Sequence, residues 1–227
     1  MTSKASKETE AVFFDLDGTL IDTAPDMGNA LNRVLENHGR EPVSEETYRP
    51  QVSHGSIALL RLGFPELQGK EAFTELRMEF LDAYETDISR DSHLFPDIET
   101  VLTQLEANAI PWGIITNKPE YLTHKLLTRM NLFQRCCSVV SADTTSHAKP
   151  HPAPMLLACE LATVAPDKCL YIGDAKRDID AGRAVNMTTL IAGWGYLGLH
   201  DDPVSWNAEA ILQQPLMILD HINPSIN

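Results

Sequence analysis

Positive charge is scarce in this chain: 18 lysines and arginines stand against 32 acidic side chains in 227 residues, for a formal net charge of −14. That balance argues against a nucleic-acid partner, whose phosphates demand basic patches. An anionic small-molecule substrate would have to find positive potential gathered locally, from a metal ion, a lysine or helix N-termini. Long apolar runs are missing too. No stretch approaches the roughly 18 apolar residues needed to span a bilayer. The opening MTSKASKETE is polar with no apolar segment behind it, so residues 1–10 read as a short frayed leader on a cytoplasmic protein without a membrane partner. Cysteine is limited to Cys136, Cys137, Cys159 and Cys169, with neither CxxC spacing nor a disulfide-dense framework. Buried or incidental thiols in a reducing compartment are the expectation. Internal repeats and low-complexity segments are absent as well.

What remains is a composition able to build a core, with 43% hydrophobic and 22% charged residues. The length suits one large domain, or one domain carrying an insertion. The apolar run Ala11-Val12-Phe13-Phe14 reads as a buried strand. From about residue 25 to 95 the pattern is helical throughout. Pro25 suits a first turn, Met27, Leu31, Val34 and Leu35 follow at helical spacing, and Gly39 stops the element. Phe73, Leu76, Phe80, Leu81 and Tyr84 mark a second amphipathic helix. No strand signal interrupts this stretch.

Beyond residue 95, short apolar runs alternate with helices, which is how parallel βαβ units look in sequence. Ile98, Val101, Leu102 and Leu105 predict a helix. Strands are expected at PWGIIT, SVVSA, CLYIGD and TTLIAG, with helices near 119–130, 152–161 and 177–185. The chain is therefore expected to be an α/β protein with a Rossmann-like three-layer core and a parallel sheet. Residues 11–22 and 96–227 would form that core, split by a helical insertion over 23–95.

Ligands bind beyond the carboxyl ends of such strands. The first strand ends in Asp15 and Asp17, "GIIT" ends in Thr116 and Asn117, and "LYIG" ends in Asp174 with Asp178 close behind. Side chains two apart in a strand share a side, so Asp15 and Asp17 would crowd one patch. A cation between acids, or a proton held on one of them, relieves that repulsion. Carboxylates meeting from separate strands suit a hard ion such as Mg²⁺. The formal charges agree: four acids face one Mg²⁺ and Lys149, and a proton on Asp17 closes the balance. An Asp facing a phosphoryl group can attack phosphorus and form an aspartyl-phosphate that water hydrolyses. Lys149, the Thr116 hydroxyl and backbone N–H groups near Gly18 and Asn117 could surround the phosphoryl oxygens, and Gly18 permits close backbone approach. A calcium loop is excluded, because Thr19 and Asp26 stand where a third ligand and a terminal Glu are required.

The set DLDGT (15–19), ITN (115–117), AKP (148–150) and GDAKRD (173–178), in this order, resembles the haloacid dehalogenase superfamily of phosphatases, over residues 11 to about 212. The resemblance implies Asp15 as nucleophile, Asp17 as general acid and base giving its backbone carbonyl to the metal, and Thr116 binding the phosphoryl group. It implies Lys149 as the neutralising cation, Asp174 as a Mg²⁺ ligand, and Asp178 holding a metal-bound water or orienting a neighbour. The insertion matches this family's helical cap, which closes over the site and reads the leaving group.

Within the superfamily the chain looks most like phosphoglycolate phosphatase-like and N-acetylmuramic acid 6-phosphate phosphatase-like enzymes. VSHG (52–55), WGIITNKP (112–119) and GYLGLHDDPVSW (195–206) carry that likeness. A small phosphate monoester is then the partner, with Ser53, His54, Gly55 and Arg61 as the cap residues expected to touch its organic part. Trp194, Tyr196 and Trp206 are expected to pack, and His93, His147, His151 and His200 to lie at the surface. Among rivals, a dehalogenase needs no second acid like Asp17, and a phosphonate hydrolase wants a cap lysine in a context that Lys70 lacks. A sugar-phosphate mutase shares the apparatus and differs only in its cap. A silent phosphate-binding module would not need every catalytic position filled.

Overall fold

In the computed structural model, which describes residues 9–222, the first strand lies at the centre of the molecule. β1 (Ala11–Phe14) is completely buried because its alternate side chains serve two faces. Val12 and Phe14 enter one apolar cluster, while Ala11 and Phe13 enter another. A strand apolar on both faces needs cover on both, which a parallel sheet flanked by helices provides.

The remaining strands of this sheet are β4 (Trp112–Ile115), β5 (Val139–Val140), β6 (Cys169–Gly173), β7 (Thr188–Ala192) and β8 (Ala210–Leu212). Between β1 and β4 lie β2 (Ile21–Asp22) and β3 (His93–Leu94), which pair antiparallel as a small ribbon of their own. The six-stranded sheet runs in the order β5-β4-β1-β6-β7-β8, with every pair parallel. The chain winds one way from β1 through β4 to β5 and the other way from β6 to β8. Its topological switch point therefore falls between β1 and β6, where such sheets open a crevice at their carboxyl ends.

Among the described residues there are eight α-helices: α1 (Ala24–Asn37), α2 (Glu45–Tyr48), α3 (Gly55–Gly63), α4 (Glu71–Thr86), α5 (Ile98–Ala107), α6 (Glu120–Arg129), α7 (Ala153–Ala162) and α8 (Lys176–Ala184). α7 and α8 give Met155, Ala158 and Ala181 to the cluster holding Phe13. α5 and α6 give Val101, Leu102, Leu122 and Leu126 to the cluster holding Phe14, which continues into α1, α3 and α4 through Leu31, Leu59 and Phe80. No helix among the described residues is long and apolar enough to cross a membrane.

Three features differ from expectation. Strands β2 and β3 are two residues each, too short for any period-2 signal, and β3 interrupts a stretch expected to be wholly helical. β8 adds an edge strand beyond TTLIAG; its three residues, Ala210–Leu212, sit in a polar context that hides it. The expected leader 1–10 lies for residues 1–8 outside the described residues, and its last part is no leader. Thr9 is buried, and the Glu10 N–H donates to the Lys168 carbonyl at 2.9 Å.

The ribbon brackets the segment between β2 and β3, and a buried acid fastens its return leg. Asp26, in the first turn of α1, accepts from the Asp91 N–H at 3.0 Å, the Ser92 N–H at 2.9 Å and the Ser92 hydroxyl at 2.6 Å. Removing the carboxylate strands these donors around a residue only 2% exposed. Asp26→Ala is expected to cost about 2 to 4 kcal/mol, read as a lower urea midpoint at unchanged slope. An unchanged midpoint would show that the acid is dispensable for fastening that leg.

Candidate active site

The carboxyl ends of β1, β4 and β6 meet at the switch point. The Asp15 N–H donates to the Ile172 carbonyl at 2.8 Å, continuing the sheet one residue past β1 and aiming its side chain into the crevice. Asp174 follows β6 directly, and Asp178 stands in the first turn of α8 with its carboxylate accepting from the Ala175 N–H at 3.0 Å. One oxygen from each of Asp15, Asp174 and Asp178 lies within 4.8 Å of the others, and all three residues are buried.

Three acids this close in a dry place cannot all hold their charge cheaply. Burial first, and then the neighbouring Asp178, push the Asp15 carboxyl up to about 6. Burial, with Asp15 and Asp178 beside it, pushes Asp174 up to about 7. Asp178 goes the other way: burial works against its charge, but Lys149 and Arg177 outweigh it and hold the acid below the usual carboxylate range. Hard carboxylate oxygens at a shared focus form the donor set a divalent ion such as Mg²⁺ takes. These residues fit it.

Lys149 supplies the fixed positive charge. Its ammonium reaches Asp178 at 2.7 Å and Asp15 at 3.0 Å, with no exposed side-chain surface. It also donates to the Ile115 carbonyl and the Tyr171 hydroxyl, both at 2.7 Å. Tyr171 belongs to β6, and its hydroxyl donates to the Ile115 carbonyl at 2.8 Å. Burial and Asp178 keep this phenol protonated far above its ordinary range. The Asn117 side chain clasps the Lys149 backbone from the other side, giving an N–H to the Lys149 carbonyl at 2.9 Å and accepting the Lys149 N–H at 3.0 Å. The side chain of Asn117 is thereby committed to Lys149, which leaves its backbone N–H for a substrate oxygen.

Asp17 faces elsewhere. Its Oδ1 accepts from the Thr23 hydroxyl at 2.7 Å and from Lys118 Nζ at 2.8 Å, so the carboxylate lies outside the three-acid focus. Directly after Asp17, Gly18 has φ +84°, and a Cβ there would fall 2.2 Å from Asp174 Oδ2. Glycine is the side chain that lets the loop pass the acid. The Asp174 carboxylate is fixed further by the Tyr196 N–H at 2.9 Å and by the Ser53 hydroxyl at 2.6 Å.

A chamber of about 260 Å³ opens beside the acids. Asp15, Asp17, Thr116, Asn117, Lys118 and Arg177 line its lower side, and Ser53, His54, Gly55, Phe80 and Tyr84 its upper side. Burial, then Arg177, lowers the His54 pKa and favours its neutral form. Arg61 is not brought to this place. It sits on an exposed face of α3, because that helix turns Leu59 and Leu60 inward.

Sequence reasoning also passed over several residues. Tyr171 looks like one more apolar member of a strand. A buried tyrosine nevertheless needs a hydroxyl partner, and that requirement was the available signal. Lys118, next after Thr116-Asn117, could have been singled out by its place at a strand end. Tyr196 packs as expected, yet its hydroxyl also accepts the Thr23 and Ala24 N–H groups at the start of α1. Nothing in the local pattern announces that.

A family model described as haloacid dehalogenase-like hydrolase matches residues 12–192. A phosphoglycolate phosphatase of Xanthomonas campestris pv. campestris is 43% identical over 205 residues, covering 90% of this chain and 92% of its own. An N-acetylmuramic acid 6-phosphate phosphatase of Pseudomonas aeruginosa is 34% identical over 217 residues, covering 96% of each. Among solved structures, a predicted phosphoglycolate phosphatase from Haemophilus somnus superposes with a TM-score of 0.84 at 22% identity, over 95% of this chain and 98% of that one, which speaks for the fold. A family match across most of the chain and relatives above 30% identity along nearly all of it lead to one conclusion: the protein belongs to the haloacid dehalogenase-like hydrolase family.

Proposed function

We propose that the protein is a Mg²⁺-dependent cytoplasmic phosphomonoesterase that works through an aspartyl-phosphate on Asp15. Its substrate would be a small phosphorylated metabolite of the 2-phosphoglycolate or N-acetylmuramic acid 6-phosphate class. The observation that carries this reading is the shared focus of Asp15, Asp174 and Asp178 at one strand-end crevice, with Lys149 bridging two of them.

Asp15 attacks phosphorus, and the ester oxygen leaves with a proton from Asp17. Asp17 then takes a proton from water as that water attacks the phosphorus of the aspartyl-phosphate, so inorganic phosphate departs and the Asp15 carboxylate returns. Thr116 and the backbone N–H groups near Gly18 and Asn117 hold the phosphoryl oxygens. Lys149 keeps Asp15 oriented and offsets the charge gathered there. When bound by Asp15, the Asp17 carbonyl and Asp174, with Asp178 beside it, Mg²⁺ supplies neutralisation of phosphoryl charge. Residues 23–95 act as a cap over the core formed by 11–22 and 96–227; Ser53, His54 and Gly55 bring it to the chamber, and closure excludes water from the phosphoenzyme.

Phosphate release should be measured from p-nitrophenyl phosphate, 2-phosphoglycolate, N-acetylmuramic acid 6-phosphate and glucose 6-phosphate, with and without Mg²⁺. The expected result is Mg²⁺-dependent release, fastest from 2-phosphoglycolate or N-acetylmuramic acid 6-phosphate. Equally low rates across the panel, with or without the ion, would contradict the reading. So would interconversion of sugar phosphates without release of phosphate.

A further inference from the structure

Lys118 has no task in the chemistry just described, yet it is the most deliberately placed cation of the chamber. It follows Thr116 and Asn117 at the end of β4, and its side chain is 4% exposed. The ammonium sits 2.8 Å from Asp17 Oδ1 and 4.5 Å from the ring centroid of Tyr84 on α4. Core and insertion thus meet through one buried charge. Three ammonium protons face one carboxylate oxygen and the face of a ring, with Met27, Val52, Phe80 and Leu122 as apolar neighbours along the chamber wall. Burial works against this charge, but Asp17 and then Tyr84 outweigh it and hold the ammonium above its ordinary range.

Two other donors of the chamber wall have no partner among the described residues. The Tyr84 hydroxyl and Arg177 Nε are both buried without a hydrogen bond. Arg177 spends its Nη2 on the Ser53 carbonyl at 2.7 Å and stands 3.9 Å from Asp15. In a chain of net charge −14, a chamber whose two lining acids, Asp15 and Asp17, are matched by Lys118 and Arg177 is far less negative than the chain as a whole. The phosphoryl end already has Lys149. Lys118 and Arg177 are the chamber cations left to meet the leaving group. At about 260 Å³ the chamber is smaller than the roughly 300–1,000 Å³ of sites for drug-sized ligands, which suits a compact leaving group.

We infer that Lys118 is a specificity-determining residue whose ammonium receives a carboxylate carried by the leaving group, making the chamber selective for phosphate monoesters of hydroxy acids. This rests on the phosphatase reading above and deepens it. In the free protein Asp17 holds the ammonium; an incoming carboxylate competes for it and leaves Asp17 Oδ1 without that partner. Substrates without the acid leave Asp17 tied to the chamber wall, and so lose rate as well as affinity.

Two matched pairs of esters test it: 2-phosphoglycolate with ethyl phosphate, and N-acetylmuramic acid 6-phosphate with N-acetylglucosamine 6-phosphate. In the pair turned over faster, the wild-type protein should prefer the acid-bearing member by about 30-fold or more in kcat/KM, because a buried charge left unmatched is penalised heavily. Lys118→Met should lower the preference for the acid-bearing ester to about threefold or less, and Lys118→Arg should restore most of it. Equal losses on both members would assign Lys118 to general support of Asp17 and overturn the inference. A wild-type preference below about threefold overturns it without any variant, so the test survives a Met protein that does not fold. Release from both members of a pair at equal rates sinks this inference alone, whereas release from none of the four esters contradicts the phosphatase reading itself.

Discussion

Asp15→Asn is expected to abolish phosphate release while leaving the protein as stable as before, or more so, when no divalent ion is present. The carboxylate oxygen is the nucleophile, and an amide cannot form the acyl-phosphate; losses of about 10⁴-fold or more in kcat follow when a covalent catalyst is removed. The stability half of the expectation comes from electrostatics. Asp15 is buried against Asp174 and Asp178, and its carboxyl is pushed up to about 6, so its charged form is a burden on the ion-free fold at neutral pH. Asparagine removes that burden at the same volume. Lys149 keeps Asp178, the Ile115 carbonyl and the Tyr171 hydroxyl as partners, so no cation is stranded. Steady-state assays and thermal melts in EDTA would measure the two halves. Full activity in the variant, or a fall of several degrees in its metal-free Tm, would refute the role given to Asp15.

The second large effect is that of the divalent ion. Stripping it should silence turnover by about 10³-fold or more, and Asp174→Asn should do the same even with Mg²⁺ present, since charge neutralisation of the phosphoryl group is then lost. Stability carries its own signature. Asp15 and Asp174 are raised from 3.8 to about 6 and about 7, so the folded protein binds protons that the unfolded chain has already released. Their contribution is fully present below about pH 4 and is lost as the pH climbs through about 7. Asp178, held low by Lys149 and Arg177, contributes with the opposite sign, being stabilising at neutral pH and lost in acid. A divalent ion replaces the protons on Asp15 and Asp174, and at low pH it must displace them first. Addition of 10 mM Mg²⁺ should therefore raise Tm by about 5 °C at pH 8 and by about 1 °C or less at pH 5. Asp174→Asn should flatten that difference, and an equal rise at both pH values would separate the ion from these acids.

Much of the architecture was legible because parallel sheets write themselves in simple runs. β1, β4, β6 and β7 are apolar on both faces, and the helices between them carry 3.6-residue spacing, so Val101, Leu102 and Leu105 fall inward as expected. The ribbon of β2 and β3 was not legible. Its pairing of Ile21 with Leu94 joins residues far apart in the chain, and two-residue strands have no period to detect. The edge strand β8 was hidden for a related reason, since edges are short and partly polar.

At the site, the motifs at 15–19, 115–117 and 173–178 point to residues that share a crevice because each follows a strand end, a place fixed by topology, and Lys149 reaches it from the loop before α7. Arg61 failed because a charged residue on an amphipathic helix says only that it avoids the core, and the chamber lies on the side where Ser53, His54 and Gly55 enter. Lys118, Tyr171 and Tyr196 were out of reach for another reason. Their roles depend on partners from other elements: Asp17 and Tyr84 for the first, Lys149 for the second, Asp22 and the start of α1 for the third. Sequence spacing carries no trace of such meetings.

The most direct test of a divalent ion held among carboxylates, with Asp15 taking the phosphoryl group, is a crystal structure with Mg²⁺ and BeF₃⁻. The expected result has beryllium bonded to an Asp15 carboxylate oxygen, Mg²⁺ contacted by Asp15 and Asp174, and fluorides beside Thr116 and Lys149. Beryllium fluoride bound away from Asp15, or an ion that does not touch Asp174, would contradict the account.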